Sequence, residues 1–125
     1  MKFIIMAISI IGMSSAMAQE GVKRTTLSTQ DFPAGYQTVK VMAEIAKGVC
    51  NARHSHPGIE TAYVLDGEVT VTYDGQPPKT YKAGDALEFN EPGAVHRACA
   101  TGDRAAKTLS VYVIEKGKPF VTPAN

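Results

Sequence analysis

Regularly spaced glycines divide the middle of the chain into segments of strand length. Successive members of the series lie eight or nine residues apart, and several stand in turn-forming pairs such as Asp66-Gly67 and Asp74-Gly75. The series consists of Gly58, Gly67, Gly75, Gly84, Gly93 and Gly102. Many short strands at regular spacing with turn residues between them are typical of a β-sandwich or a small barrel. The segments between the glycines do not resemble one another, so the spacing is not a sequence repeat.

Apolar and polar residues alternate within these segments, which is the pattern of strands with one buried face. The alternation is clear in residues 68–73 and 108–113 and looser in residues 39–45. No stretch after residue 18 sustains the three- and four-residue apolar spacing of a helix, so we expect an all-β fold. In residues 108–113 the apolar odd positions predict the buried face. Tyr112, and Tyr63 on its own strand, are then expected to face away from the interior.

Length, composition and charge exclude several classes of protein. A chain of 125 residues allows one domain, and 44% apolar with 20% charged residues is typical of an ordered globular protein. A net charge of +1 gives no reason to expect binding to nucleic acid or to an anionic membrane. Two cysteines are too few for a disulfide-rich scaffold.

The first 18 residues have the order of a secretory signal peptide. Lys2 is followed by an apolar run over residues 3–11 and by the small-residue pattern Ala16-Met17-Ala18. The run is shorter than the roughly 20 residues that span a bilayer, which favours cleavage over a membrane anchor, the alternative. We therefore expect a periplasmic or secreted protein with one domain over residues 19–125, a core at about 39–113 and a C-terminal arm over 116–125. No membrane contact is expected after cleavage.

An exported protein meets an oxidising compartment, so Cys50 and Cys99 could form a disulfide. Strand alternation argues against it. Cys50 is four residues before His54 and would share its face, whereas Cys99 is three residues after His96 and would face away. Without a bulge between them the two cysteines would not meet, and the sequence leaves the question open.

The three histidines of the chain are spaced as metal ligands. His54 and His56 would leave the same face of a strand, and Glu60 follows a Pro-Gly turn that can bring the next strand alongside. His96, the remaining histidine, lies in a segment whose small residues leave room for a pocket. Imidazole nitrogens with a carboxylate oxygen suit a divalent first-row metal. A single histidine is more often an ordinary surface or core residue, but all three fit ligand spacing together.

Residues 48–67 resemble the first motif of the cupin superfamily at every signature position. The motif is a glycine, five residues, His-x-His, three or four residues, Glu, six residues and a glycine. The second motif is matched by Gly84, Gly93 and His96 with departures. One extra residue lies between Gly84 and His96, Pro92 directly precedes Gly93, and Ala100 stands where an asparagine is usual.

The resemblance implies a double-stranded β-helix, a jelly-roll barrel with its site inside. It also implies that His54, His56, Glu60 and His96 bind one divalent transition metal, which could be manganese, iron, nickel, zinc or copper. Family members are usually dimers, so a homodimer is expected. Arg53 and Arg97 adjoin ligands and should turn to the opposite face as solvated charges.

Two classes of function stay open at this point. The first is a small-molecule metalloenzyme of oxygenase, isomerase or decarboxylase type, in which Glu60 could also act as a base. The second is a non-catalytic module that binds a metal or a small ligand. The fold does not decide between them, because function depends on the lining of the pocket.

Overall fold

The computed structural model describes residues 19–89 and 91–125, and this part of the chain contains ten strands and no helix. The all-β prediction is confirmed. The proposed signal peptide, residues 1–18, lies outside the described residues. The strands are β1 (Val22–Gln30), β2 (Tyr36–Ile45), β3 (His54–Ser55), β4 (Gly58–Asp66), β5 (Glu68–Tyr73), β6 (Lys79–Lys82), β7 (Ala86–Phe89), β8 (His96–Ala100), β9 (Ala106–Glu115) and β10 (Thr122–Pro123).

The strands form two five-stranded antiparallel sheets. Sheet I has the order β1-β2-β9-β4-β7, and sheet II has the order β10-β3-β8-β5-β6. Most strands that follow one another in the chain, such as β4 and β5, lie in different sheets. Apolar side chains from both sheets meet in one buried cluster that includes Val64 and Leu87 of sheet I and Val69 and Val71 of sheet II. In the described part of the chain no helix is long and apolar enough to cross a membrane.

The prediction for the buried face of β9 is wrong. Ala106, Ser110, Tyr112 and Ile114 are the buried residues of this strand, and the residues between them are only half-buried. Tyr112 retains only 4% of its accessible surface. The alternation predicts the wrong face because β9 also carries apolar side chains on the outer face of sheet I. Its inner face carries Ser110 and Tyr112, whose polar groups form hydrogen bonds with Glu60. The expectation for Tyr63, which is 47% exposed, agrees with the structure.

A disulfide joins Cys50 and Cys99, and these two residues stand opposite each other in an isolated antiparallel bridge. The argument from alternation against this pairing is therefore wrong. Residues 51–53 belong to no strand, so the alternation assumed between Cys50 and His54 is interrupted there. No free thiol is left in the described residues to act as a metal ligand.

The C-terminal segment folds back along sheet II. Thr122 and Pro123 pair with Ser55 and His54 at the edge of the sheet. Phe120 packs against a second apolar cluster that contains Val39, Val41, Tyr112 and Ile114. Since β3 has only two residues, this pairing supports the strand that carries the first histidine.

Candidate metal centre

Three histidines converge between the sheets. His54 lies on β3 and is the register partner of His96 on β8, and His56 follows directly after β3. One ring nitrogen of each residue lies within 4.8 Å of the corresponding atoms of the other two. All three side chains are buried, with 4 to 5% of their surface exposed. The chain therefore contains a group of three buried imidazoles that could hold a metal ion.

Each imidazole is oriented by a backbone carbonyl. The Nδ1 atoms of His54, His56 and His96 lie 2.6, 2.8 and 3.0 Å from the carbonyl oxygens of Ala52, Phe120 and Ala94, respectively. A carbonyl can only accept, so Nδ1 carries the proton and donates it in each pair. The Nε2 atoms of the neutral rings then present a lone pair, which is the form that binds a metal.

The Nε2 atom of His56 is buried and has no hydrogen-bond partner among the described residues. A buried polar atom without a partner costs free energy, so native structures rarely keep one without a functional reason. The imidazoles of His54 and His96 and the carboxylate of Glu60 lie close to this atom. The donor set fits a divalent first-row metal, which would satisfy this nitrogen directly.

Glu60 brings a carboxylate to the same place. Its Oε2 atom lies 3.5 Å from Nε2 of His56 and 3.9 Å from Nε2 of His96. The carboxyl group also forms hydrogen bonds with the side chains of Ser110 and Tyr112 on the neighbouring strand. Tyr112 is the register partner of Glu60, so the pairing of β4 with β9 sets this contact. The structure thus brings together all four residues that the sequence singled out.

Burial controls the charge of these groups. It lowers the pKa of His54 and of His56 to about 4 and also lowers the pKa of His96, so the rings are neutral at neutral pH. Burial raises the pKa of Glu60 to about 7, against the opposing effect of its hydrogen bonds. A divalent cation beside the carboxylate would favour its charged form and so reverse the effect of burial.

A small cavity of about 40 Å³ opens beside the histidines. Its inner wall is apolar and includes Ala62, Val71 and Leu87, and its polar lining includes the side chains of Arg24 and Thr108. A pocket with mostly apolar walls and a few polar groups is suited to a small molecule rather than to a polymer.

Sequence reasoning missed Ser110, Tyr112 and Arg24. Ser110 and Tyr112 were assigned to the wrong face of β9, and Arg24 belongs to an N-terminal segment without a motif. Arg53 and Arg97, by contrast, turn away from the histidines. Arg53 forms an ion pair with Asp74, and Arg97 is exposed.

Residues 41–112 match the family model described as a cupin domain, which is more than half of the chain. The chain belongs to the cupin family. This cupin resembles an uncharacterized conserved protein with a double-stranded β-helix domain from Klebsiella pneumoniae. The two share 24% identity over 86% of this chain and 88% of the other, with a TM-score of 0.71. The expected double-stranded β-helix is therefore confirmed.

Two further solved structures of similar fold have names that describe a reaction. The lyase DddQ from Ruegeria pomeroyi, named as a DMSP lyase, is 20% identical, with a TM-score of 0.68 over 82% of this cupin and 51% of its own chain. The polyketide cyclase RemF from Streptomyces resistomycificus is 19% identical, with a TM-score of 0.67 over 85% of this cupin and 72% of its own chain. At this level of identity the likeness shows the fold alone. No curated protein matches the sequence.

Proposed function

We propose that the protein is a metal-dependent cupin in which His54, His56, Glu60 and His96 hold one divalent transition metal and a small molecule reacts beside it. The unpartnered, buried Nε2 atom of His56 carries the proposal, because a metal ion would satisfy it together with two neighbouring imidazoles. The carboxylate of Glu60, within 4 Å of two of these nitrogens, supports its inclusion as the fourth ligand.

A bound metal would supply Lewis acidity, or oxygen activation if it is iron or copper. The residues of the chain supply the rest of the site. The backbone carbonyls beside the Nδ1 atoms keep the three rings in the tautomer whose Nε2 atom is free to bind a metal. Ser110 and Tyr112 hold the Glu60 carboxyl group, whose Oε2 atom can accept or return a proton during the reaction. Apolar walls exclude water from one side of the cavity.

The reaction classes that fit this arrangement are oxygenation, isomerisation and decarboxylation of a small oxygenated molecule. Two solved structures of similar fold are named as a DMSP lyase and a polyketide cyclase, which supports chemistry on small molecules. The small size of the cavity supports the same class of substrate. The metal could be manganese, iron, nickel, zinc or copper, because a site of three nitrogens and one oxygen does not select one of them by itself.

Elemental analysis of the purified protein and of His54→Ala and His96→Ala variants tests the metal site. We expect about one equivalent of a transition metal in the native protein and loss of it in both variants. Arg97→Ala is the matched control, because this exposed residue adjoins His96 on β8. Circular dichroism shows whether each variant keeps its fold. Absence of metal after reconstitution with each candidate ion would contradict the proposal and favour a module that binds a small ligand.

We further propose that the protein is exported and forms a homodimer. The N-terminal pattern of residues 1–18 supports export, and mass spectrometry of the mature N terminus after expression in a bacterial host checks it. Three apolar side chains of β4, namely Ile59, Tyr63 and Leu65, are 41 to 47% exposed on the outer face of sheet I. A second copy of the chain could cover this face, and light scattering of the purified protein measures the mass.

A further inference from the structure

Arg24, an exposed residue of the edge strand β1, lines the cavity beside the candidate metal centre. On β1 it is the register partner of Ala43, and Ala43 on β2 is the partner of Thr108 on β9. Register partners in an antiparallel sheet point to the same face, and all three residues line the cavity beside the histidines. Because the alanine between them is small, the long Arg24 side chain has room to extend across the inner face.

The guanidinium group of Arg24 has no ion pair or hydrogen bond among the described residues. Exposed Arg97 is also without a partner among the described residues, but it does not line the cavity. Arg53 pairs with Asp74, and Arg104 pairs with Asp66. Those two pairs are exposed and lie outside the lining of the cavity. Arg24 is therefore a fixed positive charge at the rim of the cavity whose donors remain available for a ligand.

Arg24 and the proposed ligand Glu60 line the same cavity. Glu60 lies on the row of β4 and β9 that is two rows from the row of Arg24, since the partner of Glu60 is Tyr112 and the partner of Ala43 is Thr108. Rows on one face are about 7 Å apart and neighbouring strands about 4.8 Å apart, so two rows and three strands separate the two backbones. The two long side chains thus enter the cavity from well-separated positions and leave space between them for a small molecule.

We propose that Arg24 binds the carboxylate of a small organic acid whose other end, bearing an oxygen atom, faces the histidines and Glu60. A planar guanidinium matches the two oxygens of a carboxylate, and such charge-assisted pairs are stronger than neutral hydrogen bonds. This inference rests on the proposed function and narrows it: the substrate class is small hydroxy or oxo acids rather than neutral diols or phenols. Arg24 is a specificity-determining residue and not a metal ligand.

Calorimetric titration of the zinc-loaded protein with lactate, 3-hydroxybutyrate and 4-hydroxybutyrate tests the inference. Each acid is compared with its amide, which has nearly the same shape and no charge. We expect at least one acid to bind the native protein more tightly than its amide. Arg24→Gln should weaken binding of that acid about tenfold or more and leave the amide unchanged. Lys23→Gln is the matched control, because it removes the same charge from the adjacent, exposed residue of β1.

The metal content of each variant separates the two proposals. Arg24→Gln protein that retains zinc but binds the acids as the native protein does would overturn the role of Arg24 and leave the metal centre standing. Equal binding of acid and amide by the native protein, or no binding of any acid in the series, would overturn it as well. If no metal binds, the same titrations of the metal-free protein still show whether Arg24 selects the carboxylate.

Discussion

Tyr112 links the candidate metal centre to the rest of the core. Its ring lies 4.8 Å from that of His56 and 4.6 Å from that of Phe120, measured between centroids. Its hydroxyl group shares a hydrogen bond with the carboxyl group of Glu60. Tyr112 thus packs against the proposed ligand His56 and positions the proposed ligand Glu60. Groups that orient ligands in this way commonly affect the affinity of a metal site.

We expect Tyr112→Phe to keep the ring packing and to lose the hydrogen bond to Glu60. The free energy of unfolding should fall by about 1 kcal/mol, the usual net value of one hydrogen bond. Metal affinity should fall by about tenfold, because the carboxylate is less well oriented. Urea denaturation and competition with a chelator measure the two effects.

Tyr63→Phe is the matched control for this substitution. Tyr63 also lies in sheet I, but it is 47% exposed on the outer face, so losing its hydroxyl group should change neither quantity. Unchanged metal affinity in Tyr112→Phe, with the fold retained, would show that Glu60 is positioned without this tyrosine.

At the scale of elements, the C-terminal segment completes the site. Phe120 supplies the carbonyl that accepts the proton of Nδ1 of His56, and β10 pairs with the two-residue strand that carries His54. The backbone of this segment therefore orients one histidine and supports another. Its aromatic ring additionally packs against His56, with 5.3 Å between the ring centroids.

Ending the chain after Lys118 should weaken metal binding by about 10- to 100-fold, because the orienting carbonyl and the strand pairing are both removed. Competition with a chelator measures the affinity, and circular dichroism checks that the sheets persist. Phe120→Ala distinguishes the contribution of the aromatic ring from that of the backbone. It removes the ring but keeps the carbonyl, so it should lower the metal affinity less than the truncation does. Native affinity in the shortened chain would mean that His56 is held in place by its other contacts.

At the scale of the whole molecule, the disulfide limits the freedom of the unfolded chain. Cys50 and Cys99 are 49 positions apart, so their bond closes a large loop that contains β3 to β7 and the proposed ligands up to His96. Closing such a loop lowers the entropy of the unfolded state, with a stabilisation of roughly 3 to 4 kcal/mol.

We expect the Cys50→Ser, Cys99→Ser double variant to lose about 3 kcal/mol of unfolding free energy and to keep its metal. Metal binding should survive because backbone hydrogen bonds also join the two segments, from Asn51 to Ala98 and from Ala100 to Val49. Urea denaturation compares the double variant with the native protein. Native protein treated with a reductant should reproduce the loss, and equal stability with and without reductant would contradict the prediction.

The sequence by itself determined the all-β class and the group of histidines with Glu60. Glycine turns and period-two alternation depend only on neighbouring residues, so they can be interpreted without knowing which strands meet. The His-x-His spacing works in the same way, because residues two apart share a face of a strand. His96, distant in the chain, follows as the one remaining histidine, and the match to the second cupin motif supports it.

Alternation predicted the buried face of β5 correctly, but only the tertiary structure decided which face of β9 is buried and which distant groups meet. The apolar side of β9 faces outward because the outer face of sheet I is also apolar, while Ser110 and Tyr112 face inward to bind Glu60. Cys50 meets Cys99 because the chain leaves the strand conformation before His54. The position of Arg24 at the cavity depends on the register of β1 with β2. Strand order and register follow from packing across the entire molecule, and no local pattern in this sequence encodes them.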